Sequence, residues 1–366
     1  MRKVLEERIK EVFSKQNLKN YSASENLPLR EISSSDKLRV YLTPSLTAKE
    51  EEVRVEKYIW SGGRQNTYAI SIGKEPYAAS IRKEKIGEGE SEQSFTLEDI
   101  NSIPGIIPTD GLVRTAYEGE EFYFGTICIL IKDQMDLEWF IQGNGYLPER
   151  GLINQDYLAL VLFYFHQMLR SINGLKEKKI VHKDFKNRNI IIDGENAFLT
   201  DFYLMQHENA GTKSRIVGTP IYMSTEALRN EPLDFRADLY SWAVCLAEAV
   251  GYLDLSRYDH LTTRLHPPIV LKDICDEDYL PLENDKKLRH LPGELIPPIT
   301  DILKNGLSPS KEERDLNLIL GIFEESSISD YILLAQTEEK KKSSLLNNWR
   351  RSLRNILKGR ILRRRN

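Results

Sequence analysis

Apolar positions follow strand-like alternation in the first part of the chain and helical spacing in the rest. Within Met1–Gln16, Val4, Leu5, Ile9, Val12 and Phe13 stand at helical spacing, which predicts a short amphipathic helix. The polar, Ser- and Asn-rich stretch Asn17–Thr47 follows, with one strand-like piece at Leu38–Leu42. It reads as an extension or linker, or as a helix and strand packed behind the next segments. From Val53 onward strand patterns dominate: Val53–Trp60, Thr67–Ile72, Tyr77–Lys83, Gly111–Ala116 and Glu121–Ile131. Glu90–Ile103 predicts a helix between the third and fourth of these. Beyond them, Asp156–Asn173 predicts a long, very apolar helix, Asp238–Glu248 a buried one, and Pro298–Leu318 two more around Leu307-Ser308-Pro309.

Polar chemistry concentrates where two apolar runs flank a loop, Ile180-Val181-His182-Lys183-Asp184-Phe185-Lys186-Asn187-Arg188-Asn189-Ile190. Asp184, Lys186 and Asn189 fall within six residues, and Asp201 arrives after a hairpin-like segment turning at Asp193-Gly194-Glu195-Asn196. Two acids, an amide and a lysine at the ends of short strands suit phosphoryl transfer. One acid accepts a hydroxyl proton and the lysine faces a phosphate oxygen. The amide and the other acid hold Mg²⁺.

His182-Lys183-Asp184-Phe185-Lys186-(two residues)-Asn189 resembles the catalytic loop of eukaryotic-type Ser/Thr protein kinases, with Lys183 in place of the family's Arg. Asp201-Phe202-Tyr203 is similar to the family's Asp-Phe-Gly, with Tyr203 in place of Gly. Gly218-Thr219-Pro220 leads into Ser224-Thr225-Glu226, and Leu307-Ser308-Pro309 leads to Arg314, in the family's order. The resemblance runs from about Val53 to Asp330. It implies an α+β, two-lobed protein-kinase-like fold with a small β-rich lobe (53–132) and a larger helical lobe (133–335). It implies a Ser/Thr protein kinase moving the γ-phosphate of ATP to a protein hydroxyl. Asp184, Lys186 and Asn189 would be catalytic, Asn189 and Asp201 would hold Mg²⁺, and Lys186 with Thr219 would mark Ser/Thr specificity. Arg314 would pair with Glu226, Asp238 would accept loop amides, and His182 would pack on Phe202. Lys183 would meet a phosphorylated activation segment carrying Thr212 and Ser214.

Departures cluster in the small lobe. Of Gly-x-Gly-x-x-Gly-x-Val, the stretch Ser61-Gly62-Gly63-Arg64-Gln65-Asn66-Thr67-Tyr68 keeps the middle glycine. Aligning Ala78 with the family's Ala-x-Lys puts Ser80 at the lysine position. Arg82 can replace that lysine if the strand slips by two, Arg64 or Lys74 can reach in, or the site has lost efficient catalysis. The nucleotide site would then comprise Ser61, Gly62, Gly63, Asn66, Tyr68, Ala78 and Arg82, with Glu92 or Glu98 as the helix glutamate. The alternative function is a pseudokinase scaffold acting through protein interaction. Transfer of another group such as AMP, or phosphorylation of a small molecule, is a third.

Composition adds two points. The 366 residues are 40% hydrophobic and 29% charged, as in soluble globular proteins. Cys128, Cys245 and Cys275 have no metal-like spacing and read as inert core thiols. No signal-peptide pattern opens the chain, and no run approaches the roughly 18 apolar residues of a membrane span, so a cytoplasmic location is expected. The net charge is −4, yet residues 340–366 hold 11 Lys or Arg and no acid, leaving −15 on the rest. Leu345, Trp349, Leu353, Ile356, Leu357 and Ile361 would share one face of a helix there. The chain is thus divided into an extension (1–52), a kinase-like domain (53–335) and a basic amphipathic tail (336–366). That tail suits an anionic membrane surface or an acidic partner, with nucleic acid less favoured.

Overall fold

The computed structural model describes residues 37–41, 50–61, 65–72, 75–85, 97–117, 121–129, 135–144, 153–208, 218–253, 255 and 286–337. They fall into two compact units that divide between Lys132 and Asp133.

The first unit is a closed antiparallel barrel in the order β1-β2-β3-β4-β6-β5. Its strands are β1 (Lys37–Tyr41), β2 (Glu50–Ser61), β3 (Gln65–Ile72), β4 (Glu75–Lys85), β5 (Thr109–Tyr117) and β6 (Glu121–Ile129). The strand expected in the N-terminal stretch, β1, pairs with β2 on one side and β5 on the other, so it closes the sheet and removes both open edges. Between β4 and β5, helix α1 (Leu97–Asn101) lies within the stretch Glu90–Ile103 expected to be helical and ends two residues before Ile103, while residues 90–96 lie outside the described residues. Asn101 fixes its end: the carboxamide donates to the Thr109 carbonyl and accepts from the Thr109 N–H, both at 2.9 Å. Ile100, Ile103, Ile106 and Ile107 are buried beside that clamp.

The second unit is mainly helical. A short strand β7 (Met135–Asp136) leads into α2 (Leu137–Asn144), whose first turn is capped by Asp136 Oδ1 accepting from Trp139 N–H at 2.9 Å. Helix α3 (Gln155–Glu177) is capped by Asn154, which accepts from Tyr157 N–H. It is apolar almost all round and buried along most of its length, as a helix through the middle of a core should be. Its partner α5 (Phe235–Ala249) opens on Asp234, which caps Arg236 N–H at 2.9 Å. The two are cross-tied by Tyr157 Oη donating to Ala249 O at 2.8 Å and Trp242 Nε1 donating to Phe165 O at 3.1 Å. Trp242, fully buried, packs edge-on against Phe165 and Phe323.

Between these helices run the short strands β8 (Ile180–Val181), β9 (Ile190–Ile192), β10 (Ala197–Leu199) and β11 (Gln206–His207). β10 pairs with β9, β9 with β7, and β11 with β8. A single turn of helix, α4 (Thr225–Leu228), precedes α5. Helices α6 (Ile296–Gly306), α7 (Leu316–Glu325) and α8 (Ile328–Thr337) complete the unit, with α8 packed on α3. The pair expected over Pro298–Leu318 is α6 and the start of α7. Gly306 ends α6 where it meets α5: a Cβ there would stand 2.5 Å from that of Ala243, so only glycine allows the approach. No helix among the described residues is long and apolar enough to cross a membrane.

Candidate active site

The loop between β8 and β9 is suspended from α5. Asp238 accepts from His182 N–H at 2.7 Å and from Lys183 N–H at 3.0 Å, through one carboxylate oxygen each. Burial pushes the Asp238 carboxyl up to about 7 against the pull of these two donors; once it is ionised each bond is worth about 1.5–3 kcal/mol. His182 is fully buried and packs edge-on against Phe202. Its Nδ1 accepts from Asp184 N–H at 3.3 Å and its Nε2 faces Thr200 O at 3.0 Å, which assigns the proton to Nε2. Burial pushes its pKa down to about 4, so the ring is neutral and structural, not a base.

Asp184, 8% exposed, is held at both carboxylate oxygens. Oδ2 accepts from Lys186 Nζ at 2.6 Å and from Asn189 Nδ2 at 3.2 Å. Oδ1 accepts from the Thr219 hydroxyl at 2.7 Å, and Thr219 Oγ1 accepts in turn from Lys186 Nζ at 2.9 Å. Acid, ammonium and hydroxyl thus form a closed ring. Gly218 places Thr219 in it. With φ +120°, a Cβ at that position would lie 2.5 Å from Lys183 O, so a side chain is excluded twice over.

Asn189 Nδ2 also donates to Asp184 O at 2.8 Å, which commits its N–H groups to the loop and leaves Oδ1 as the acceptor end. Thr200 donates its N–H (2.8 Å) and hydroxyl (3.1 Å) to Asn189 O, which brings the next residue, Asp201, alongside. Asp201 sits in the left-handed region (φ 66°, ψ 64°), and a 3-10 turn over Phe202–Leu204 follows it. A carboxamide oxygen and a carboxylate are a fitting donor pair for Mg²⁺, a hard cation that takes one or two protein carboxylates and leaves the remaining positions to phosphate and water. No cluster of three His, Cys, Asp or Glu suited to a metal occurs among the described residues.

Several contacts were not readable from the sequence. Asn187 Nδ2 and Tyr222 Oη donate to Glu248 Oε2 at 2.7 and 3.2 Å. Arg188 forks onto Glu138 of α2, with Nη2 at 3.0 Å from Oε1 and Nε against Oε2. Lys183 donates to Gln206 Oε1 at 2.9 Å, and the segment it is expected to meet lies outside the described residues. The partners lie 23 to 61 residues from these loop residues in sequence, and no spacing rule links them.

In the barrel, the register separates residues that the sequence reading grouped. Tyr68 pairs with Ala79 and Asn66 with Ile81, whereas Ala78 pairs with Ala69, Ser80 with Thr67 and Arg82 with Gln65. Facing residues share a face and neighbours alternate. Asn66 and Tyr68 therefore lie in one row, and Ala78, Ser80 and Arg82 in the other. Tyr68 and Ala79 are buried with Ile70. At the position where the resemblance asks for lysine, the Ser80 hydroxyl is hydrogen-bonded to that of Thr67 at 3.1 Å. Ser61 closes β2 opposite Asn66, and Glu98 lies in α1. Gly62, Gly63, Arg64, Lys74, Glu92, Thr212, Ser214, Cys275 and the tail lie outside the described residues.

A family model described as "Protein kinase domain" matches residues 112–314. The chain belongs to the protein kinase family. Among its relatives, the serine/threonine-protein kinase nekl-2 of Caenorhabditis elegans is 32% identical over 143 residues, 38% of this chain and 35% of that protein. The serine/threonine-protein kinase fused of Drosophila melanogaster is 32% identical over 117 residues, 31% of this chain and 13% of that protein. The atypical protein kinase C of the same fly is 28% identical over 200 residues, 54% of this chain and 30% of that protein. Each match thus spans about a third or less of the relative's own length. Within the kinase family, this chain keeps the Asp-x-Lys-x-x-Asn loop and the later Asp. It departs at Lys183, at Tyr203 and at Ser80.

Proposed function

We propose that the chain is a Ser/Thr protein kinase that moves the γ-phosphoryl group of ATP to a protein hydroxyl. The observation that carries this is the ring of Asp184, Lys186 and Thr219, braced by Asn189. Asp184 accepts the hydroxyl proton as the acceptor oxygen closes on phosphorus. Thr219 offers a hydroxyl to Oδ1 at 2.7 Å, which supports that oxygen as the acceptor for an alcohol proton. Lys186 holds a positive charge against the oxygens of the transferring group and keeps Asp184 oriented. Asn189 and Asp201 would hold Mg²⁺, which supplies charge neutralisation on the phosphates when bound. The work is positioning and electrostatic stabilisation. Arg82 is the strand cation proposed to contact the α- and β-phosphates, since it shares a row with Ala78 and Ser80.

The test is incubation of the full chain with γ-labelled ATP, Mg²⁺ and a generic protein substrate. Label on serine or threonine is expected, and Arg82→Ala should abolish it. Retained label in that variant removes Arg82 from the role. The second reading, a scaffold, is favoured by the hydroxyl pair at Ser80 and Thr67. A nucleotide-dependent rise in thermal midpoint with no label transferred would establish it.

The basic tail is proposed to hold this kinase, in the cytoplasm, against an anionic membrane surface, with Trp349 at the interface. Removing residues 340–366 should abolish co-sedimentation with phosphatidylserine vesicles, and unchanged sedimentation would refute the assignment.

A further inference from the structure

Lys186 and Thr219 reach Asp184 from two separate stretches of chain, and each has a neighbour fastened to the same carboxylate oxygen. Asn187, directly after Lys186, donates from Nδ2 to Glu248 Oε2 at 2.7 Å. Tyr222, further along from Thr219, donates from Oη to that oxygen at 3.2 Å. Both are held stiffly to the residues they follow. Tyr222 ends a 3-10 turn that starts at Pro220, with its N–H on Thr219 O at 3.0 Å. Asn187 opens another, and its carbonyl accepts from the Ile190 N–H at the start of β9.

Helix α5 adds a second hold to each arm. Ser241 Oγ donates to Tyr222 O at 2.6 Å, and Cys245 O accepts from Asn187 Nδ2 at 3.4 Å. Ser241, Cys245 and Glu248 stand at helical spacing, so one face of α5 takes both stretches. Asn187 is fully buried, and among the described residues its side chain bonds only to Glu248 and Cys245. Burial, with the Glu248 charge beside it, pushes the Tyr222 phenol well above its ordinary range, so that it stays a donor.

We infer that Asn187 is a positioning residue: by sharing Glu248 Oε2 with Tyr222, it sets the spacing of Lys186 and Thr219 and so keeps the ring around Asp184 closed. The inference rests on the reading of this chain as a kinase. A misplacement of about 1 Å at a reacting group costs on the order of 10²-fold in rate. Loosening either arm is therefore felt at Asp184, although neither arm is hydrogen-bonded to that carboxylate.

Two measurements on the full chain test this. The first is the initial rate with γ-labelled ATP and a protein substrate. Asn187→Ala and Tyr222→Phe should each lower kcat by about 10- to 100-fold with the nucleotide KM unchanged, and the double variant should be no slower than the slower single. Losses that multiply would show two independent holds and overturn the inference. Glu248→Ala should match the double variant, whereas Glu248→Gln, whose Oε1 still accepts from both donors, should return to within about threefold of wild type. A Gln variant as slow as the Ala variant would assign the effect to charge and also overturn it. The second measurement needs no activity. With ¹³C-labelled threonine methyls, the Thr219 resonance should move in both single variants while that of Thr300 on α6 stays. A Thr219 resonance unmoved by Asn187→Ala overturns the junction. If Asn187→Ala does not fold, Tyr222→Phe, which loses a single oxygen, gives the same reading on that resonance. Absence of transfer in every form defeats the kinase reading alone, and the methyl measurement still decides the junction.

Discussion

Asp184→Asn should cut phosphoryl transfer by about 10²–10⁴-fold, the usual contribution of a positioned general base. The substitution keeps the shape of the side chain but removes both its charge and its proton affinity. It also turns one acceptor into a donor. In the wild type both oxygens accept, from Lys186, Asn189 and Thr219. Facing the Lys186 ammonium and the Asn189 amide the new NH₂ group meets two donors, and facing Thr219 it forces that hydroxyl to turn its O–H away and accept instead. The nucleotide KM should change little, because the ring holds the acceptor side of the reaction. The measurement is the initial rate with γ-labelled ATP for wild type and variant, each checked for an unchanged circular dichroism spectrum. A folded variant within tenfold of wild type would take Asp184 out of the proposed role.

Glu226→Ala should destabilise the protein by about 3–5 kcal/mol, the cost of stranding one member of a buried ion pair. Arg314 is 2% exposed and Glu226 5%. The guanidinium forks onto the carboxylate, Nη1 to Oε1 at 2.6 Å and Nη2 to Oε2 at 3.1 Å. Its remaining N–H groups are given to the carbonyls of Ser308, Pro309 and Arg236, and it lies over the Tyr240 ring at 4.9 Å. Those groups keep the cation in place after the acid is gone, so the charge stays buried and uncompensated. Glu226→Leu combined with Arg314→Met removes the charge as well and should recover most of the loss. Urea unfolding of the wild type and the two variants checks this, and a single-variant loss below about 1 kcal/mol would contradict the argument.

The legible part of the molecule shares one physical property. Asp184, Lys186 and Asn189 are five residues apart at most, so the loop that gathers them is local and its spacing constrains its geometry. Asp238 sits on a long, strongly patterned helix, whereas Glu226 on the single turn α4 and Arg314 in the link before α7 were placed by the family resemblance. What could not be read depends on distant chain. The Lys183–Gln206, Asn187–Glu248 and Arg188–Glu138 contacts need strands and helices to be docked before they exist. The small unit shows the same limit more sharply. Its strands were evident from alternation, but grouping Tyr68 with Ala78 required the β3–β4 register, and a shift of one residue exchanges every face. The role of β1 in closing the barrel was hidden for the same reason, since its pairing with β5 spans more than seventy residues.

The bonds from Asp238 to the two loop amides have a consequence for how this protein opens. Surface loops as a rule fluctuate freely, at little cost to the body that bears them. Here the backbone of His182 and Lys183 is fastened to a carboxylate 1% exposed, on the helix that carries the buried Trp242 and packs on the apolar length of α3. Releasing those amides strands the Asp238 carboxyl, which burial already pushes up to about 7, in the core without its donors. The part of the chain that carries the chemistry therefore loosens only when the helical body itself comes apart, and its local and global unfolding are one event.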